Sequence, residues 1–358
     1  MNPKTRWDEV AIMAYSCKIV TDSVSSRGHR LTTMTVTLPR IVLAEFNTHR
    51  VFSRNSASSR AIPVRKQLRS VVEDSFMPRQ FGTAVGGMNA GPALSGKQLE
   101  TAQYLWSKSM RKQVWAALQL TTSPDYIRRE WRLFEGTLEG FVLEVAHRIE
   151  DPSHPIHRES LLWTSKGLTN RILEPFMWHT IIVTATEWEN FFNLRTDKNA
   201  QEEIRTAAEM MRDAYNSSEP VEVHEGEWHL PFIQSDELEW AKANPEIACK
   251  AVAARCARVS YLTHDTGAVD IDKDIKLADR LASAGHMSPF EHVAQPFTSD
   301  EWYVREMMSQ TAKVNRDLLS EGALSLLVDS TEFSGNFRGW AQFRRGLKGQ
   351  QVFHPETD

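Results

Sequence analysis

The chain has 358 residues, 41% hydrophobic and 25% charged, the proportions of an ordinary soluble globular protein able to bury one large core or two modest ones. Its net charge of −4 excludes bulk electrostatic attraction to nucleic acid, so any anion-binding role has to be local. No apolar run reaches the about 18 residues needed to cross a bilayer, and the opening MNPKTRWDEVAIMAYSCK lacks the apolar stretch of a signal peptide.

In chain order, 16–24 (SCKIVTDSV) and 29–38 (HRLTTMTVTL) read as strands of a hairpin around a Ser-Ser-Arg-Gly turn. Pro39 then opens a helix-like run, RIVLAEFNTHR, whose apolar Ile41, Val42, Leu43 and Phe46 lead into NTHRVFSRNSASSR. That segment, 47–60, sets His49, Arg50, Arg54 and Arg60 among hydroxyl and amide side chains, a composition suited to gripping an anion. Residues 82–96, rich in Gly and Ala without a period, read as a loop with the character of a lid. Helices are predicted over roughly 97–121 and 125–150, followed by a His/Pro-rich break.

A strongly apolar stretch runs from Glu159 to Arg195, and NAQEEIRTAAEMMRDAY after it has the 3–4 residue spacing of an amphipathic helix. The acidic SSEPVEVHEGEWHLP separates a half spanning 1–235 from one spanning 236–358, the two expected to interleave as one structural domain. Helices are predicted over 236–262 and 272–286, and the tail FSGNFRGWAQFRRGLKG is basic and aromatic. The sum is an α+β fold, helix-rich with a small antiparallel sheet. Cys17, Cys249 and Cys256 form no CxxC pair and suit a reducing cytoplasm, with Cys249 and Cys256 as buried small hydrophobes on one helical face.

Two motifs are decoys. GPALSGKQ, 91–98, has the G-x-x-x-x-G-K of a phosphate loop but Gln98 where the magnesium-binding hydroxyl belongs. His147, His154 and His157 lie close in sequence, but Pro152 and Pro155 break the helical face that zinc ligation needs, and a solvated loop is expected. GHMSPFEH, 285–292, reads first as a helix boundary closed by Gly285 and reopened at Ser288-Pro289. It reads alternatively as free backbone N–H groups and two histidines turned to a ligand. Arg171 and Arg195 bracket an apolar stretch, and each either pairs with a buried carboxylate or grips an anionic or planar ligand.

Together these pieces resemble the flavin-dependent thymidylate synthases. The family signature, R-H-R, seven residues, then S, is similar to Thr48-His49-Arg50 followed by Asn55, Ser58 and Arg60. Arg171, Pro175 and NFFNLR at 190–195 resemble a later motif; Ala257-Arg258-Val259-Ser260 and His286 to His292 resemble the A-R-V-S and H-x-T-P-F-E-H motifs. In the family the last two come first, so the chain resembles an enlarged, circularly permuted relative. The first signature arginine is Thr48, the usual glutamate is Ser56, the usual glutamine is Glu45, and flavin-holding Asn and Arg positions fall on Thr184 and Thr186.

The resemblance implies methyl transfer from methylenetetrahydrofolate to C5 of dUMP, with FAD as cofactor, NADPH as reductant, and a homo-oligomer with shared active sites. It implies Arg195 and Ser58 as catalytic candidates, and Glu45, Ser56, Ser58, Ser59, Arg60, Arg171 and Arg344 on the nucleotide side. On the flavin side it implies His49, Arg50, Val51, Asn55, Asn190, Arg258, Ser260, His286, Ser288 and Glu291. Arg344 or Arg345 of the tail is expected to restore the guanidinium missing at Thr48. A C5-hydroxymethylase of dCMP or dUMP and a non-catalytic nucleotide-binding relative without flavin stay open as alternatives.

Overall fold

The computed structural model describes residues 15–86, 90–151, 153–154, 156, 164–259, 270–300 and 336–347. Two long strands, β1 (Ser16–Ser25) and β2 (Arg30–Pro39), form the expected hairpin, with Gly28 at φ 82° in the turn, a conformation that side chains disfavour. Arg30 clamps the hairpin by donating to both carboxylate oxygens of Asp22 at 3.0 and 2.6 Å. After β2 come a 3-10 turn at Arg40–Val42, α1 (Leu43–Asn47), the short β3 (Ser53–Ser56) and α2 (Val64–Glu73). Then follow α3 (Gly96–Thr121), α4 (Pro124–Leu133), α5 (Leu138–Glu150) and α6 (Lys166–Arg171). The chain returns to the sheet in β4 (Trp178–Ala185) and continues through α7 (Glu189–Arg195), α8 (Glu202–Ser217) and β5 (Val221–Val223). The last third supplies α9 (Leu238–Ala243), α10 (Pro245–Arg258), α11 (Ile271–Ser283) and a two-stranded ribbon, β6 (Ala294–Pro296) with β7 (Trp340–Gln342).

The main sheet has the order β3-β4-β2-β1-β5, antiparallel except for the β1–β5 edge, so the architecture is α+β. β4 explains the apolar stretch that carries no alternation. Ile181, Val183 and Ala185 face a core built with α1, α7 and α8, while Ile182 packs against Cys256 and Val259 on the opposite side. A strand covered on both faces reads as a continuous apolar run. A second core gathers α2 to α5 around Val114, Leu118, Phe141 and Val145, and a third gathers α10 and α11 with Phe290 and Val293.

Two predicted helices are each broken in the structure. The one expected over 125–150 is interrupted between Leu133 and Leu138, where the Thr137 hydroxyl caps a new helix by accepting from Gly140 N at 3.1 Å. The one expected over 236–262 breaks at Asn244, because Pro245 lacks the N–H that would continue a helix and starts one well. Cys249 and Cys256 are fully buried, and burial raises both thiols far above their usual range. Among the described residues, no helix is long and apolar enough to cross a membrane.

Candidate functional site

The segment singled out in the sequence lies where α1 turns into β3 at the sheet edge. Phe46, Phe52, Trp188 and Phe191 anchor that turn as a buried aromatic cluster, with ring centroids 5.6 Å apart for Phe46–Phe191 and 4.7 Å for Phe52–Trp188. His49 sits on this platform, edge-on to Phe191 at 4.9 Å. Arg195, the last residue of α7, donates from Nε to His49 Nε2 at 3.0 Å. Its Nη2 donates to the Thr48 hydroxyl at 3.0 Å and to the Glu45 carbonyl at 3.3 Å. A guanidinium only donates, so His49 accepts at Nε2 and carries its proton on Nδ1. Burial, then Arg195 and Arg54, pull the His49 pKa down to about 4, so the ring is neutral at pH 7.

Arg54 braces the same turn by donating to Asn47 Oδ1 at 2.6 Å and to the Asn47, Phe52 and His49 carbonyls at 3.1, 3.1 and 3.3 Å. Sequence reasoning treated it only as one charge among several. Around this corner, Glu45 Oε2 and Asn55 Oδ1 are buried with no hydrogen-bond partner among the described residues. Buried acceptors are rarely left unpaired, and Asn170 Oδ1 and Glu202 Oε2 share this status elsewhere among the described residues. Arg195 Nη1 likewise has no partner among them. The corner therefore offers two acceptors, one fixed cation and a neutral imidazole.

The loop following β3 is held from beneath. Ser59 is buried and donates to Glu174 Oε1 at 2.6 Å, an oxygen that also meets Arg40 at 3.3 Å. Asn170 Nδ2 donates to the Ser59 and Ile62 carbonyls at 2.8 and 2.9 Å. These bonds leave Ser58 and Arg60 outermost, joined in a tight turn by Ala61 N donating to Ser58 O at 2.8 Å. The Arg60 stem lies so close to Gly167 that a Cβ there would stand 2.9 Å from Arg60 Cγ. Adjacent exposed hydroxyl and guanidinium groups on a braced loop can bind a dianion.

The C-terminal part reaches the same edge. The 3-10 turn Ser288–Glu291 packs against β3, and Gln342 Nε2 donates to Ser53 Oγ at 2.9 Å and to the Glu291 carbonyl at 3.0 Å. Glu291 pairs with Arg344, while the guanidinium beside Thr48 is that of Arg195. Arg345 lies near both Arg344 and Glu291, and the Arg338 N–H donates to Thr186 Oγ1 at 3.0 Å. Behind the sheet a buried relay joins the halves. Ser23 meets His229 Nδ1 at 2.8 Å, His229 Nε2 meets Thr33 at 2.7 Å, Thr33 meets Thr184 at 2.7 Å, and Thr184 meets His292 Nδ1 at 2.8 Å. Burial pulls both histidines down to about 3, so each is neutral. His229 carried no local signal, since its partner Thr33 lies 196 residues away.

The structure thus brings Glu45, Thr48, His49 and Arg195 into direct contact, with Asn55 and Ser56 on β3 and Glu291 with Arg344 against that strand. Arg50, Val51, Asn190, His286 and Ser288 are exposed. Arg171 is also exposed and lines a separate hollow of about 360 Å³ with Trp106, Ser109, Gln113 and Phe176. Arg258 is paired with Asp274 and belongs to a buried ion network rather than to this corner. Ser260 and His157 lie outside the described residues. No protein-family model matches this chain, and no curated protein matches it.

Proposed function

We propose that the protein is a flavin-dependent pyrimidine-nucleotide C5 methyltransferase, converting dUMP to dTMP with methylenetetrahydrofolate, FAD and NADPH. The observation that carries the reading is convergence. Residues 45–60, Arg195 and the Ser288–Glu291 turn, far apart in sequence, meet at one sheet edge around unpaired buried acceptors. The fold this implies is that of the flavin-dependent thymidylate synthases with its motifs in permuted order.

In this reading Ser58 and Arg60 bind the 5′-phosphate, while Ser59 holds the loop through Glu174. Arg195 points its remaining Nη1 donors at the pyrimidine edge, where negative charge builds as C5 becomes nucleophilic. A preorganised donor at such a position contributes about 3–4 kcal/mol of transition-state stabilisation. His49, kept neutral and bonded at Nε2, fixes the plane of the guanidinium. Flavin's ring N–H groups and ribityl hydroxyls are donors and would complement the orphaned Asn55 Oδ1 and Glu45 Oε2, which supports this reading. His49, Arg50, Asn55, Asn190, His286, Ser288 and Glu291 would hold it, and when bound and reduced it supplies hydride equivalents. Arg258 acts at a distance, through the network that seats α10.

Glu45 also favours a second reading. A carboxylate oxygen without a partner suits the exocyclic amino group of cytosine, so dCMP is the competing substrate and hydroxymethyl the competing product. Incubating the protein with reduced FAD, methylenetetrahydrofolate and either nucleotide, then reading product mass, tests both. dTMP from dUMP supports the first reading, a modified dCMP the second, and unchanged nucleotides in both reactions remove catalysis.

A further inference from the structure

On the far side of the sheet from the His49–Arg195 corner, part of the β1 edge is uncovered among the described residues. β5 pairs in parallel with Ser23–Ser25 alone, and among the described residues no backbone hydrogen bond joins 16–22 to anything beyond the β1–β2 ladder. Alternate N–H and C=O groups of an edge strand point away from its neighbour and template a further strand. Beside this edge runs a groove of about 840 Å³ between β1, the 218–230 segment and α9. Ile19, Trp228, Leu230, Ile233, Leu238 and Pro245 form its apolar wall, and Leu238 is 44% exposed.

The polar lining has one sign. Glu219, Glu222 and Glu227 border the groove and are exposed, while the exposed Glu239 pairs at 3.2 Å with Lys242, the one basic group lining it among the described residues. Asp22 also lines it but is neutralised by Arg30. An occupant has to complement an open strand edge, an apolar wall and a negative rim together. An extended polypeptide with alternating apolar and basic side chains meets all three demands.

We propose that this groove binds such a segment of a partner protein by strand addition to β1, in the lane that β5 occupies further along. The ladder with β2 is irregular between Ile19 and Thr21, and the Thr21 hydroxyl donates to the Leu230 carbonyl at 3.4 Å, so the regular part of the edge is the four residues 16–19, a short strand's length. Backbone pairing supplies register, apolar side chains enter the wall near Trp228 and Leu238, and lysines or arginines meet the glutamates. The site is independent of the proposed catalytic reading.

The test uses the full chain and a short labelled peptide of alternating lysine and valine, followed by fluorescence anisotropy. Saturable binding is expected, with affinity falling as salt rises because the rim charges are exposed. Glu222→Lys with Glu239→Lys is expected to weaken binding roughly tenfold at unchanged circular dichroism. The same peptide N-methylated at alternate amides, which cannot pair as a strand, is expected not to bind. Equal affinity of the N-methylated peptide, insensitivity to the charge reversals, or no saturable binding each overturns the proposal. So does self-association of the protein that the charge reversals abolish, since the occupant is then a second copy.

Discussion

Two arginines separate the roles that charge plays in this molecule. Arg255, on α10, donates to both oxygens of Glu237 at 2.5 and 2.6 Å, to Asp274 at 2.9 Å and to the Phe232 carbonyl at 3.0 Å. Arg258 closes the network on Asp274, and the side chains of Arg255, Glu237 and Asp274 are almost wholly buried. Arg195 is half-buried, bonded to a neutral histidine, a hydroxyl and a carbonyl, and meets no carboxylate among the described residues. A cation saturated by carboxylates holds a fold together. Arg54 is also fixed by neutral groups alone and braces a turn; Arg195 differs in keeping Nη1 without a partner among the described residues, which leaves donors for a ligand in the proposed reading.

The sharpest way to break this contrast is to remove each guanidinium in turn. Arg255→Met strands Glu237 in the interior and should cost about 3–5 kcal/mol in urea unfolding. Arg195→Lys should leave the urea midpoint nearly unchanged while lowering turnover of dUMP roughly 100- to 1,000-fold. If the effects are exchanged, with Arg195 the stabilising residue, the division is wrong.

The histidines supply the next effect. His179, His229 and His292 are held at about 3 and His49 at about 4, against an ordinary value of 6.5, with burial the first cause for each. The fold favours their neutral forms, so the stability is fully present above about pH 6.5 and lost as pH falls towards 3–4. Each contributes up to about 1.4 kcal/mol per pH unit in that window. Unfolding midpoints measured down from neutral pH should fall, and His229→Gln should flatten the slope. An unchanged midpoint between pH 7 and pH 5 would contradict the assigned protonation.

The smallest effect concerns the braced loop. Gly167→Ala pushes a methyl group into the Arg60 stem, which is flexible enough to move. Stability should change by less than about 1 kcal/mol, while KM for the nucleotide rises a few-fold and kcat holds. A fall in kcat alone would place Arg60 elsewhere in the reaction.

The hairpin was legible because the Ser-Ser-Arg-Gly turn separates two adjacent runs of strand-forming residues, Ser16–Ser25 and Arg30–Pro39, so every signal is local. The two broken helices were misread although both breaks carry local signals: Thr137 is a capping hydroxyl and Pro245 has no N–H with which to continue a helix, and each was overridden by the apolar spacing on either side. Arg195 and His49 were each singled out, but their bond spans 146 residues and no periodicity encodes such a pairing. The tail illustrates the same limit. Its arginines reach the right edge of the sheet, yet Arg344 is taken by Glu291, and the space beside Thr48 belongs to Arg195. The His229–Thr33–Thr184–His292 relay was invisible for the same reason: Thr184 and His292 were read as flavin- or ligand-side positions, whereas the structure buries both and bonds them to each other.

The central claim is that the unpaired acceptors around His49 and Arg195 await a flavin. Titrating the purified protein with FAD, and following the visible flavin absorbance and its fluorescence, tests this most directly. Saturable uptake that Asn55→Ala weakens is the predicted result; a protein that stays colourless and leaves FAD fluorescence unchanged would contradict the account.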